Sequence, residues 1–79
     1  MPRRIYTLRI DRRGQKEMRS YPPKVFKQVA TRIFALSVNP RPHDSKKVGV
    51  GFRVDVGEYR IIYTVDDEAE EVAILCFST

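Results

Sequence analysis

The sequence predicts a small α+β domain made of an N-terminal strand, two helices and then an antiparallel sheet. Three observations predict it. Near the N-terminus, Tyr6, Leu8 and Ile10 alternate with Ile5, Thr7 and Arg9, the period of a short strand with one buried face. Between Ser20-Tyr21-Pro22-Pro23 and Asn39-Pro40-Arg41-Pro42, apolar residues recur three or four apart. From Phe52 to Val65 the period returns to two.

Each element follows from local chemistry. Asp11 to Met18 is polar and can make a short helix, although Gly14 costs it about 1 kcal/mol relative to alanine. From Lys24 to Val38, the residues Val25, Val29, Ile33 and Leu36 form a stripe that Phe26, Ala30 and Phe34 widen, which defines an amphipathic helix. Pro23 suits its first turn, where a missing N–H is no loss, and Asn39-Pro40 stops it because the residue before proline disfavours the α region. Lys24, Lys27, Gln28 and Arg32 would face mostly water. A loop is expected from Asn39 to Gly51, then two strands in which Phe52, Val54 and Val56 and then Tyr59, Ile61, Tyr63 and Val65 share a face. Gly57-Glu58 between them fits a type II′ hairpin turn, with glycine at the position that needs a positive φ. Asp66 to Glu71 reads as an acidic turn. Val72 to Phe77, apolar on both faces, reads as a central strand.

At 79 residues, the chain supports one domain spanning residues 1–79. A domain of this size buries only about 60% of the surface its unfolded form exposes, so the core must be modest. With 42% hydrophobic and 32% charged residues, the composition is that of a globular protein rather than a disordered one. Fifteen Lys and Arg against ten Asp and Glu leave a net charge of +5, enough on so small a surface to attract a polyanion such as nucleic acid or an acidic protein. The same surplus also serves solubility, so charge alone does not choose a partner. Cys76 is the single cysteine, which excludes an intrachain disulfide, a Cys-rich zinc site and a redox pair, and fits a reducing cytoplasm. No long apolar run occurs, so neither a signal peptide nor a membrane span is expected.

The candidate binding groups are Lys46 and Lys47 before the sheet, Arg53 on its first strand and Arg60 on its second. A turn at Gly57-Glu58 points Arg53 and Arg60 away from Phe52, Val54, Tyr59 and Ile61, onto one shared and more polar side. Arginine suits a phosphate there, because its planar donor fork binds two oxygens and keeps its charge at any working pH. The same register sets Asp55 opposite Arg60, so these groups can equally form an exposed ion-pair network, the reading that residue types alone favour. His43, the single histidine, follows Pro42 in a polar loop with no motif around it and reads as a solvated side chain. Cys76 and the Tyr59/Tyr63 pair read as core. No Gly-rich phosphate loop, metal-spaced cluster or paired-carboxylate motif is present, and no metal or cofactor is expected.

The run Phe52-Arg53-Val54-Asp55-Val56-Gly57-Glu58-Tyr59-Arg60-Ile61-Ile62-Tyr63-Thr64-Val65 resembles the signature strand pair of the RelE/ParE toxin superfamily, with Gly57 to Tyr63 at its centre. The order of elements resembles that family along nearly the whole chain. The resemblance implies a curved sheet packed on one side by two helices, and an antitoxin partner encoded by a neighbouring gene. For the RelE branch it implies metal-independent cleavage of mRNA on the ribosome, by attack of a ribose 2′-OH on the adjacent phosphate. Carried over, Arg60 takes the place of the family's phosphate-contacting arginine, and Arg53 stands where the RelE type has a lysine. Arg53 and Arg60 are thereby the expected catalytic residues, and Lys46, Lys47, Arg53 and Arg60 the expected RNA contacts. Two departures go with the resemblance: Asp55 stands where the RelE type has a second lysine, and the sequence stops at Thr79, where the family continues with a basic residue and a catalytic tyrosine. The alternatives are a ParE-type inhibitor of DNA gyrase and a decayed toxin that only binds antitoxin or RNA.

Overall fold

The computed structural model describes residues 5–78. Strand β1 (Thr7–Ile10) leads into helices α1 (Arg12–Arg19) and α2 (Pro23–Val38). Four strands follow: β2 (Lys46–Val48), β3 (Gly51–Val56), β4 (Tyr59–Asp66) and β5 (Glu71–Ser78). They form one sheet in the order β1-β5-β4-β3-β2. Strands β3 to β5 make the expected antiparallel meander and β2 extends it at one edge, but β1 pairs with β5 in parallel, so the sheet is mixed. The two helices carry the chain from β1 at one edge of the sheet to β2 at the other, and the meander then brings β5 back beside β1.

The three-residue strand β2 lies inside the segment expected to be a loop. It is exposed throughout and lies at the sheet edge, so it shows none of the apolar alternation that marks its neighbours. Gly49 and Gly57 both take a positive φ of 58°, each at the first position of a two-residue turn. Glu58 does not, which is the φ pattern of the type II′ turn expected at Gly57-Glu58. Gly51 is required for a different reason: a Cβ there would run into the Tyr63 carbonyl oxygen, where β3 enters the sheet against β4.

The core lies between the helices and one face of the sheet. Val29, Ile33 and Leu36 of α2 and Met18 of α1 meet Val54, Ile61, Tyr63, Val72, Ile74 and Phe77. Tyr21, between the helices, packs edge-on against Phe77 and tilts over Tyr59, with ring centroids 5.9 and 4.8 Å apart. The stripe of α2 is narrower than the sequence suggested, because Phe26 and Phe34 are exposed. Arg32, expected in water, instead lies half-buried against Asp44. Its guanidinium holds the Asp44 carboxyl below the usual carboxylate range. Deep in the core, the Tyr63 hydroxyl donates to the Pro40 carbonyl at 2.8 Å, which ties the end of the α2–β2 connection to the sheet. Burial raises the Tyr63 phenol above its ordinary value.

A β-bulge at Leu75 sets the far end of β5. Ile62 pairs with Cys76 but Tyr63 pairs with Ile74, so one extra residue of β5 is absorbed between them. Without it, Phe77 would face away from the core that Ile74 faces. Cys76 consequently sits half-buried beside Ile62 on the face away from the helices, not in the core as expected.

Candidate phosphate-binding face

The helices cover one face of the sheet and leave the other open. Residues paired across strands share a face, so the register places each candidate group. Lys46, Arg53, Ile62 and Cys76 form one cross-strand row on the open face, and Asp55, Arg60 and Ser78 form the next. Arg53 and Arg60 are therefore diagonal neighbours, about 7–8 Å apart at the backbone, a spacing that two guanidinium forks can close on one phosphate.

These groups differ in what holds them. Arg53 is packed down to 21% side-chain exposure and its Nε lies 3.7 Å from Asp55 Oδ1, two residues along the same strand. Arg60 is exposed, and among the described residues its side chain makes no ion pair or hydrogen bond. The ion-pair network that residue types favoured thus reduces to one loose contact, and Arg60, although opposite Asp55, stays outside it. Lys46 is exposed and directly opposite Arg53, which adds a third cation to the patch.

Lys47 is separated from the others. It pairs with Phe52, and this row belongs to the helix-covered side of the sheet, where Phe52 stacks on Tyr63 at 5.8 Å and Arg41 lies 5.4 Å over the Phe52 ring. Arg41 in turn grips Asp67 through two guanidinium nitrogens at 3.1 and 2.9 Å, and this bond raises its pKa further. Tyr6 donates to the same carboxylate at 2.7 Å. Sequence reasoning missed this cluster, whose members lie far apart in the chain, and its role is to pin the β4–β5 turn to β1.

His43 is exposed, next to the Arg32–Asp44 pair in the α2–β2 connection. Among the described residues, no group of three or more His, Cys, Asp or Glu could hold a metal ion, and no helix is long and apolar enough to cross a membrane. Cavities of about 470 and 270 Å³ open on the helix side, lined chiefly by Ile10, Met18, Phe26 and Phe34. Their walls are largely apolar, although Gln15 and Arg19 also line the first. The open face gathers Arg53, Arg60 and Lys46 in two adjacent rows.

No protein-family profile and no curated protein matches the sequence. Solved structures do. A chain of the toxin-antitoxin complex RelBE2 from Mycobacterium tuberculosis is 28% identical, with a TM-score of 0.84 over 94% of this chain and 90% of that one. The isolated RelE toxin of E. coli is 26% identical, with a TM-score of 0.83 over 94% of this chain and 83% of that one. The archaeal RelE-RelB complex from Pyrococcus horikoshii shares the fold, with a TM-score of 0.83 at 21% identity over 94% and 93% of the two chains. A five-stranded mixed sheet with two helices on one face is thus the α+β fold of these toxin–antitoxin structures. Within that class, the chain belongs to the RelE-like superfamily.

Proposed function

We propose that this chain is the toxin of a type II toxin–antitoxin pair and that it inhibits translation by cutting mRNA on the ribosome. The likeness to RelE toxins supports the toxin class and an antitoxin partner. The observation that carries the finer reading is Arg60: an exposed guanidinium with no partner among the described residues, beside Arg53 and Lys46 on an uncovered sheet face. A cation left unpaired beside a carboxylate is available to an anionic ligand.

In this reading the message lies across the open face. Arg53 and Arg60 hold the oxygens of the scissile phosphate and stabilise the charge that builds on them as the neighbouring 2′-OH attacks. Lys46 adds backbone affinity at the sheet edge, a contact that orients RNA without reading its bases. Lys47, on the other side, makes a poorer contact with the same strand.

The test is primer extension on mRNA in programmed ribosomes, with and without the purified protein. Cleavage within the A-site codon that disappears with Arg60→Ala supports the reading. An uncut message turns the case toward gyrase inhibition, assayed by DNA supercoiling, or toward a toxin that only binds. An Arg60→Ala protein that binds and cleaves like wild type removes Arg60 from the site.

A further inference from the structure

Transfer of a phosphoryl group from a 5′ oxygen to a 2′ oxygen requires a proton acceptor as well as cations. The described residues on the open face bring few acceptors near Arg53 and Arg60. Tyr59 turns to the other side, where it packs on Tyr21, and Glu71, at the far end of the open face in the Asp66 row, is engaged by Arg9 at 3.1 Å. His43 lies in the α2–β2 connection next to Asp44, which pairs with Arg32, and belongs to no strand row. Asp55 alone lies between the two arginines. It pairs directly with Arg60 across the strands, sits 3.7 Å from Arg53, and is half exposed to solvent.

From this placement we infer that Asp55 is the general base of the proposed RNA cleavage. The inference rests on the mRNA-cleavage reading given above. A phosphate gripped by Arg53 and Arg60 sits against the Asp55 carboxylate, and the attacking 2′-OH lies only one ribose away from that phosphorus. Asp55 takes the 2′-OH proton as the new bond from the 2′ oxygen to phosphorus forms. The bond to the 5′ oxygen then breaks, and the leaving oxygen takes a proton from water. The products are a 2′,3′-cyclic phosphate and a 5′-OH end.

The charged groups that face Asp55 are Arg53 on its own strand, Arg60 on β4 and, one row away, Lys46 on β2, with Glu58 at the hairpin tip. β5 contributes only the uncharged Ser78 and Cys76 to these rows. The three cations offset the repulsion between the Asp55 carboxylate and the phosphate. This makes a carboxylate tolerable at a phosphate-binding site. A carboxylate with no base role would only weaken binding, and its removal would then speed the reaction.

The two possibilities predict opposite signs. Single-turnover cleavage in programmed ribosomes should be measured between about pH 5 and 8.5 for wild type, Asp55→Asn and Asp55→Glu, alongside ribosome binding and thermal melting. Asp55→Asn should fold and bind normally but cleave about 100-fold or more slowly, within the range for loss of a general base. It should also lose the fall in rate toward acid pH, whereas Asp55→Glu should keep it. Cleavage by Asp55→Asn at the wild-type rate or faster, with the acid limb unchanged, overturns the base role and leaves the RNA-cleavage reading standing. A wild-type protein that leaves the message uncut overturns both.

Discussion

The two faces of the sheet are built from the same strands, residue by residue in alternation, and they are put to opposite uses. On the covered face, Val54, Ile61, Tyr63, Val72 and Ile74 are almost completely removed from water and meet the helices. On the open face, Arg53, Asp55, Arg60 and Lys46 stand in adjacent rows with a single loose ion pair among them. The contrast teaches that stability and chemistry are separable here at the level of single residues. A change at an odd or even position along β4 should affect one and spare the other.

The largest expected effect falls on the covered face. Tyr63 is the bulkiest fully buried side chain, and Tyr63→Ala leaves a cavity and an unpaired Pro40 carbonyl. Truncating a buried aromatic costs about 3–5 kcal/mol, as much as the whole stability of many small domains. Urea denaturation should find this variant largely unfolded without denaturant. A native-like midpoint would mean that the two faces are less divided than their burial suggests.

Three residues before it on the same strand, Arg60→Ala should do the reverse. It removes an exposed side chain with no partner among the described residues, so stability should stay within about 0.5 kcal/mol of wild type. Cleavage should nevertheless fall by about 100-fold, the usual loss when one group that stabilises transition-state charge is removed. Parallel melting curves and single-turnover rates check both halves. Lost stability together with lost rate would mean that Arg60 is structural.

A finer probe keeps the ring of Tyr63 and removes only its hydroxyl. Tyr63→Phe loses the 2.8 Å bond to Pro40 and should cost about 1 kcal/mol, more if the buried carbonyl finds no water. The pH dependence has a definite sign. Burial raises the folded-state pKa of Tyr63 above the unfolded value, so its contribution is complete below an unfolded tyrosine pKa of about 10 and is lost as pH rises toward and through the folded one. Denaturation midpoints above pH 10 should therefore fall more steeply for wild type than for Tyr63→Phe. Equal slopes would show that this phenol does not ionise differently on folding.

Much of this contrast was legible in the sequence, and what was not has physical causes. Alternation from Phe52 to Val65 and the glycine at 57 were enough to place the hairpin, to set Asp55 opposite Arg60, and to put Arg53 and Arg60 on one face. The apolar run from Val72 to Phe77 likewise marked a strand with neighbours on both sides. Three things were hidden. The parallel pairing of β1 with β5 joins segments more than 60 residues apart and leaves no local periodicity. The bulge at Leu75 inverts the expected facing of Cys76. Edge strand β2 has no apolar face to reveal it, although Gly49-Val50 before Gly51 repeats the glycine-first spacing of Gly57-Glu58 and was the available signal. Without β2, Lys46 and Lys47 looked alike.

They are not alike, and the smallest predicted effect measures the difference. Lys46 lies in the Arg53 row on the open face, and Lys47 in the Phe52 row on the other. Both are exposed, so neither substitution should move the melting temperature. A lysine that contacts a phosphate contributes roughly one counterion's worth of salt dependence, so losing it lowers the salt slope of RNA binding by about 1. Lys46→Ala should show that drop with a several-fold loss of affinity, measured by titrating RNA at several salt concentrations. Lys47→Ala should keep the wild-type slope. Equal losses from the two would mean that RNA wraps around the β2 edge rather than lying on one face, and the division between the faces would then end at β3.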